Sequence, residues 1–277
     1  MAPRNPFTSI TVTGGAALAY WGDELRYYRE QAGLTQEHLA RRVFVSSSLV
    51  AMIETGRRAP KPDFINAADT ALNTGGALDR LWKRIIKSSY LEWFRLFVEV
   101  EAEADSILKY EQQSVPGLLQ NEDYARAQFR NGRVRDSDET IERQVAARMS
   151  RQEILTRDNP PFLWVILEEA VLRRRVGGVE VMREQCTRLV RAAESPDIII
   201  QMLPFSIGAH AGMSGSMTLF SLPDHGDLAY SENFAGGQII GRPDEVEECR
   251  LRLDLLRANA LPPDESVRMI AGMIGEP

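Results

Sequence analysis

Residues 25–60 read LRYYREQAGLTQEHLARRVFVSSSLVAMIETGRRAP, two short amphipathic segments separated by a brief interruption. The first segment follows Thr35, whose hydroxyl can accept a hydrogen bond from the next helical turn and so cap a helix. Apolar residues then recur at helical spacing at Leu39, Ala40 and Val43. The pattern predicts a first helix of roughly Gln36 to Arg42.

The second segment repeats this layout. Ser46 offers another hydroxyl cap, and the apolar positions that follow are Leu49, Val50 and Ile53. We expect the helix to close at Glu54-Thr55-Gly56, because glycine takes the left-handed backbone that a helix end requires. Two short helices joined by a tight turn form a helix-turn-helix, which points to DNA.

The same residues resemble the phage-repressor-like (Cro/cI, or XRE) helix-turn-helix family. The matching strings are Gly33-Leu34-Thr35-Gln36, Leu39-Ala40, Val45-Ser46 and Ile53-Glu54-Thr55-Gly56-Arg57-Arg58-Ala59-Pro60. The resemblance implies that the second helix reads DNA, and family members usually carry longer polar side chains there. This chain instead has Ser47-Ser48-Leu49-Val50-Ala51-Met52, so we expect modest discrimination per base contact.

Positive charge is concentrated on the motif, although the chain as a whole is acidic. The 277 residues carry 33 Lys and Arg against 39 Asp and Glu, a balance that by itself argues against nucleic acid. Residues 1–75, however, hold 8 basic and 7 acidic side chains. Between Arg41 and Lys61 there are five basic residues and one acidic residue, Glu54. The sequence therefore places a basic patch where DNA would bind.

The expected contacts follow from how such motifs dock. The first turn of the recognition helix enters the major groove, so the base-facing candidates are Ser47, Ser48 and Met52. Gln36 resembles the family's phosphate-contacting glutamine, and free backbone N–H groups at the helix start would help it. The full set predicted to bind DNA is Thr35, Gln36, Arg41, Ser46, Ser47, Ser48, Met52, Arg57, Arg58 and Lys61.

Two of these interpretations have alternatives. Arg57, Arg58 and Lys61 suit phosphate contact, but they would also fit an ordinary solvated loop. Glu54 is acidic within the basic patch, and we expect it to buttress the motif rather than touch DNA.

Several classes of protein are disfavoured by composition. No apolar run approaches the ~18 residues of a membrane span, and the N-terminus lacks a signal-peptide core, so we expect a cytosolic protein. Cys186 and Cys249 are far apart and suggest neither a disulfide nor a zinc site. With three histidines in the chain, we expect no metal and no cofactor.

The pattern divides the chain into four parts. We predict a loose arm over residues 1–16, a helix-turn-helix domain over 17–75, a connecting helix over 76–88 and a larger domain over 89–277. The run Tyr90 to Phe97 is rich in aromatic residues and is interpreted as core. We expect a fragment from about residue 88 onward to fold alone, since ~190 residues can bury a core.

The larger domain mixes both kinds of secondary structure. Predicted extended segments are 106–110, 162–167, 198–203, 217–221 and 228–231, and predicted helices are 140–156, 178–193 and 244–260. Strands and helices do not alternate strictly. We therefore predict an α+β fold class, with an all-α helix-turn-helix domain ahead of an α+β domain.

This second part also resembles a known group. The strings WFRLFVEVEAEADSILKYE, VPGLLQNEDYARA, LEEAVLRRRVGG, IIIQMLPFSIGAHAGMSGSMTLFSLPD and LDLLRANALPP resemble the uncharacterised C-terminal domain of WhiJ-type actinobacterial regulators. The resemblance implies a transcription regulator often encoded beside a small partner protein, sometimes arranged like an antitoxin with its toxin. It implies no known ligand and no catalytic residues.

Three features could suggest an enzyme, and we interpret each otherwise. Glu99, Glu101 and Glu103 are expected to form a solvated face, because no histidine accompanies them. The stretch Gly208 to Gly215 lacks the Lys-Ser/Thr of a P-loop and is interpreted as a flexible loop that could line a binding site. Arg173-Arg174-Arg175 could grip an anion, but a charge cluster at a helix C-terminus is favoured. We expect no enzyme.

The sequence therefore predicts a dimeric, sequence-specific DNA-binding transcriptional regulator whose second domain senses a small partner protein or ligand. A two-fold dimer would match a pseudo-palindromic operator with half-sites about 34 Å apart. An antitoxin-like protein that neutralises a neighbour-encoded partner and binds DNA for autoregulation is the alternative. The third possibility is an enzyme with a DNA-binding appendage.

Overall fold

A computed structural model describes residues 14–89, 92–132, 135–223, 226–233 and 236–275. The chain forms two compact units. The first comprises residues 1–89 with 133–147, and the second comprises residues 90–132 with 148–277.

The first unit is helical up to residue 89. Its helices are α1 (Gly14–Gln31), α2 (Gln36–Arg42), α3 (Ser47–Glu54), α4 (Pro62–Leu72) and α5 (Ala77–Ser89). The two helices predicted from the motif are thus confirmed as α2 and α3. The predicted arm is too long at its end, because Gly14 to Ala16 already belong to α1, where alanine and leucine favour helix. The rest of that arm lies outside the described residues.

The helices of the first unit pack around Trp21. This side chain is fully buried, donates its indole N–H to the Leu78 carbonyl at 3.0 Å and meets Trp82 edge to face at 5.9 Å. The Asp69 carboxylate accepts the backbone N–H groups of Leu78 and Asp79, at 3.1 and 3.0 Å, and so satisfies the start of α5. These contacts fix α5 against α1 and α4.

The second unit combines helices with one sheet. The helices and strands that follow α5 in the chain are α6 (Glu92–Glu103), β1 (Ser106–Glu111), α7 (Glu122–Gly132), α8 (Asp138–Arg151), β2 (Phe162–Glu168), α9 (Glu169–Arg173), α10 (Val179–Ala192), β3 (Ile198–Leu203), β4 (Met217–Leu222), β5 (Gly226–Asn233), β6 (Gly236–Ile240), α11 (Pro243–Asn259) and α12 (Pro263–Met273). The division between the units falls within α8, whose residues up to Ala147 belong to the first unit.

The sheet is mixed. Its order among the described residues is β3-β2-β1-β4-β5-β6, with β1, β2 and β3 parallel and β4 to β6 antiparallel. A helical N-terminal region followed by a mixed sheet with helices confirms the predicted α+β class. The predicted strands are all present, whereas β6 and α12 were not predicted.

Both faces of the sheet are covered. Leu163, Val165 and Leu167 alternate along β2 and pack in a cluster with residues of α6, α10 and α12. Ile166, between them, belongs to the opposite cluster with Leu253 and residues of α11. Side chains of a strand point alternately to its two faces, so a strand buried on both sides is apolar throughout.

The predicted solvated face of three glutamates is wrong. These residues lie in α6, where a spacing of two does not place side chains on one face. Glu99 and Glu103 are exposed, but Glu101 is 3% exposed and pairs with Arg151 Nε at 2.8 Å. Burial raises the pKa of the Glu101 carboxyl, while the charges of Arg151, Lys109 and Arg148 act in the opposite direction.

Two further predictions need correction. The aromatic run ends in a buried Phe97, but Leu96 is 53% exposed, since a helix turns only part of its surface inward. Tyr90 and Leu91 lie outside the described residues. The helix predicted over residues 140–156 ends at Arg151 and continues as a 3₁₀ turn over Gln152–Leu155.

Candidate nucleic-acid interface

Two hydroxyl caps define the starts of α2 and α3. Thr35 Oγ1 accepts the N–H of His38 at 3.1 Å, and Ser46 Oγ accepts the N–H of Leu49 at 3.2 Å. Both capping residues have extended backbone, as N-caps do. The predicted caps are confirmed, and they show that the first turn of each helix forms from local sequence.

Close backbone approach then fixes α3 against α1. Gly56 follows α3 with φ of 69°, and a Cβ there would lie 2.8 Å from the backbone nitrogen of Ala19. A Cβ on Gly22 would overlap the carbonyl of Glu54. Both positions therefore need glycine, the first for its conformation and both for space.

An ion cluster centred on Glu54 joins α1, α2 and α3. Glu54 is 1% exposed, and its carboxylate accepts hydrogen bonds from Arg29 Nε at 2.5 Å, Arg29 Nη2 at 3.0 Å and Gln36 Nε2 at 2.8 Å. Arg26 Nε lies 3.5 Å away. The prediction that Glu54 buttresses the motif is confirmed.

These contacts determine the charge state of the cluster. Burial opposes ionisation of Glu54, but hydrogen bonds from Arg29 and Gln36, with the charges of Arg29 and Arg26, hold its pKa below the ordinary value. The hydrogen bond to Glu54 in turn raises the pKa of Arg29. A charged, hydrogen-bonded carboxylate thus ties the recognition helix to its supports.

The first turn of α3 faces solvent. Ser46, Ser47 and Ser48 are exposed, and the hydroxyls of Ser46 and Ser48 lie 3.0 Å apart. Met52, about one turn further along, is 37% exposed. The predicted base-facing residues therefore form one accessible surface of α3, as groove entry requires.

The basic residues predicted to bind DNA lie at two places in the motif. Arg57 and Lys61 are exposed and Arg58 is half-buried, all three between α3 and α4. Arg41 lies on α2, where it pairs with Glu37 at 3.3 Å. A groove of about 570 Å³ brings Arg58 and Lys61 together with Ser46 and Met52, whereas Arg41 does not line it. The binding roles of all these residues remain predictions.

The sequence analysis missed one residue of this surface. Phe44 occupies the turn between α2 and α3, lines the same groove and is 94% exposed. Its φ of 56° is left-handed. A bulky residue at the tip of a tight helix-turn-helix turn is the signal that could have identified it.

The second unit contains a buried polar cluster at the end of β2. Glu168 Oε1 accepts the Tyr110 hydroxyl at 2.8 Å and lies 2.8 Å from His210 Nε2. Burial, followed by the contact with Glu168, raises the pKa of Tyr110. His210 Nδ1 accepts the N–H of Gly212 at 3.2 Å. The glycine-rich loop predicted to be flexible is thus anchored to the sheet through His210.

The arginine run after α9 is distributed among several partners. Arg173 pairs with Glu169 at 3.1 Å within α9, as a charge cluster at a helix C-terminus does, and Arg174 donates to the Gln113 carbonyl at 3.0 Å. Arg173 and Arg175 also line a pocket of about 140 Å³.

A larger groove of about 900 Å³ lies in the second unit beside α10. Its lining includes Arg188, which donates to the neutral oxygens of Leu119 and Gln152, at 3.1 and 2.7 Å. Desolvation lowers the pKa of Arg188. Apolar lining comes from Leu118, Leu155 and Ile198, among others.

The described residues lack a metal-binding cluster and a membrane-spanning helix. Within the ranges given above, no group of three or more His, Cys, Asp and Glu side chains could hold a metal ion. No described helix combines the length and apolarity needed to cross a membrane.

Comparison with known proteins gives two family matches. A model described as a helix-turn-helix domain matches residues 22–82, which include α2 and α3. A model described as a domain of unknown function, DUF5753, matches residues 94–272. No curated protein and no solved structure matches the chain. The first match identifies the segment that contains α2 and α3 as a helix-turn-helix domain, which implies DNA binding.

Proposed function

The chain belongs to the family of the domain of unknown function DUF5753, and we propose that it is a sequence-specific transcriptional regulator that binds operator DNA through α3. One observation carries this proposal: the capped first turn of α3 is exposed beside a groove that also holds Arg58 and Lys61. That arrangement offers short polar side chains to base edges and cations to phosphates. The motif strings favour the Cro/cI-like class for the first unit and the WhiJ-type regulators for the second.

The proposal includes a homodimer. A helix-turn-helix of this size reads a short half-site, and two copies related by a two-fold axis would read a pseudo-palindromic operator. Sedimentation of the full chain with and without operator DNA tests this assembly.

Salt dependence tests the assigned phosphate contacts. We expect Arg57→Ala with Arg58→Ala to weaken binding to an operator and to mixed-sequence DNA alike, because phosphate contacts carry little sequence information. The slope of log affinity against log salt should shrink by about one to two units, because DNA binding releases fewer counterions when two phosphate contacts are lost. The operator is a duplex selected from random-sequence DNA by the wild-type protein.

The matched control removes the same charge elsewhere. Arg95→Ala with Arg268→Ala changes two exposed arginines of the second unit and should leave the slope unaltered. An equal slope in the Arg57 and Arg58 variant, with the fold intact by circular dichroism, would remove these arginines from the interface.

We further propose that the second unit senses a ligand in the groove beside α10. The supporting observation is Arg188, an exposed guanidinium of this groove that donates to the neutral oxygens of Leu119 and Gln152 next to apolar lining. An anion with an apolar body fits this chemistry. The amphiphilic dye anilinonaphthalene sulfonate should bind with enhanced fluorescence, and Arg188→Gln should weaken it about tenfold. Equal dye binding by both proteins would rule out Arg188 as the recognising group.

A further inference from the structure

Phe44 is unusual in both exposure and backbone conformation. Its side chain is 94% exposed, and its φ of 56° places it in the left-handed region. That region is disfavoured for residues with a Cβ and is an outlier for a bulky side chain. The other described non-glycine residue with positive φ is Asn73, at 52°, and asparagine tolerates this conformation.

The folded chain gains little from this side chain. An exposed phenyl ring contributes almost no burial, while the left-handed backbone favours glycine at the same position. A strained residue held by its surroundings is a reason to look for a function there.

The surroundings of Phe44 indicate the kind of partner. Together with Ser46, Leu49 and Met52 it lines the groove that Arg58 and Lys61 also line. Asp63 also lines this groove, so its charged lining consists of two basic residues and one acidic residue, with Arg57 exposed beside Arg58 in the chain. A polyanion that also presents an apolar group would complement such a surface.

DNA offers one apolar group on its base edges in the major groove, the thymine methyl. We propose that Phe44 contacts a thymine methyl at the edge of the operator half-site and thereby selects for thymine at that position. This inference rests on the proposed function and adds a specificity-determining residue to the interface. The contact is apolar, so it is independent of the phosphate contacts.

The experiment uses the full chain with two substitutions that suit a left-handed backbone. Phe44→Gly removes the ring and relieves the strain, and Phe44→Asn removes the ring without the added flexibility of glycine. Both variants should melt no lower than the wild type, and we expect a rise of about 2–4 °C for Phe44→Gly. Both should lose about tenfold or more in affinity for the selected operator, while the slope of affinity against salt stays unchanged.

Asn73→Gly is the matched control. It makes the same kind of backbone change at an exposed left-handed position of the same unit, beyond the groove. Operator affinity should not change in this variant. A loss as large as that of Phe44→Gly would assign the effect to flexibility of the unit and overturn the contact.

Uracil provides the second measurement, because it is thymine without the methyl. Replacing each thymine of the operator in turn should identify a position at which the wild type loses affinity and Phe44→Asn does not. Equal losses for both proteins at every position would overturn the methyl contact.

Three outcomes distinguish a failure of the proposed function from a failure of the inference about Phe44. If the wild-type chain selects no operator, the proposed function itself fails. If it selects one and both Phe44 variants bind equally well, only the inference about Phe44 fails. A variant whose oligomeric state changes without DNA would instead assign Phe44 to an interface between copies of the chain, which also overturns the inference.

Discussion

At the scale of single residues, Glu54 is the connection on which the motif depends. It sits at the end of α3, is almost completely buried and contacts Arg29 from α1 and Gln36 from α2. Removing the carboxylate leaves Arg29, itself 8% exposed, without its main partner. Breaking a buried ion pair by deleting one member is expensive, about 3–5 kcal/mol in comparable cases.

The lowered pKa of Glu54 predicts how stability depends on pH. An acid whose pKa is depressed in the folded state contributes stability above its unfolded pKa, here an ordinary value of 4.5. That contribution is lost as pH falls through the lower folded value. We therefore expect Glu54→Gln to be destabilising at pH 7, and its difference from the wild type to shrink as pH falls below about 4.5.

Urea unfolding of the full chain between pH 7 and pH 3 measures this difference. Glu37→Gln serves as the control, since Glu37 is exposed on α2 and pairs only with Arg41 at the surface. It should show a small effect at every pH. A Glu54→Gln difference that stays constant across this range would mean that folding does not lower the pKa of the Glu54 carboxyl.

At the scale of elements, α3 begins with a capping serine followed by an exposed serine. Ser46 caps the helix through the Leu49 N–H, whereas Ser47 is exposed in the first turn. We expect Ser46→Ala to lower the free energy of unfolding by about 1 kcal/mol, because a backbone donor loses its cap. Ser47→Ala should leave stability unchanged.

The effect of Ser47→Ala on DNA binding should depend on the base sequence of the operator. Ser47→Ala should relax preference at particular operator positions by about 1 kcal/mol or less, because a hydroxyl makes one contact rather than a bidentate pair. Binding measured across all single-base variants of the selected operator shows this directly. A uniform loss over all sequences would instead place Ser47 against a phosphate.

At the scale of the whole molecule, the division within α8 changes what an isolated second unit requires. Residues 133–147 belong to the first unit, and their buried side chains include Ile141 and Val145. A fragment of residues 90–277 keeps this segment without the rest of the first unit. We therefore expect the fragment to self-associate through the exposed apolar face.

Size-exclusion chromatography of the fragment tests this expectation. Replacing Ile141 and Val145 by lysine in the fragment should restore a monodisperse species, whereas Glu142→Lys at a half-buried position between them should not. A monodisperse fragment without substitutions would support the simpler boundary near residue 88 and place the segment outside the first unit's core.

Short-range features could be predicted from residues close together in the chain. Thr35 and Ser46 cap helices through bonds to residues three positions away, and Gly56 ends α3 with a conformation that glycine prefers. The strands β2 and β3 could be predicted equally well from the sequence, because strands buried on both faces are continuously apolar. The α+β class followed from their order.

Features that depend on contacts between residues far apart in the chain could not be predicted from the sequence. Glu101 was predicted to face solvent, but it is buried and pairs with Arg151, which is 50 positions away in the chain. A bulky residue in a tight turn could have drawn attention to Phe44, but its left-handed φ and the groove around it are visible only in the folded structure. The sequence by itself determined the caps, the apolar strands and the basic patch, because these arise from local backbone bonding and composition. Only the tertiary structure decided which charges are buried, where α8 belongs and which side chains meet in one groove, because those outcomes depend on contacts formed after the elements pack.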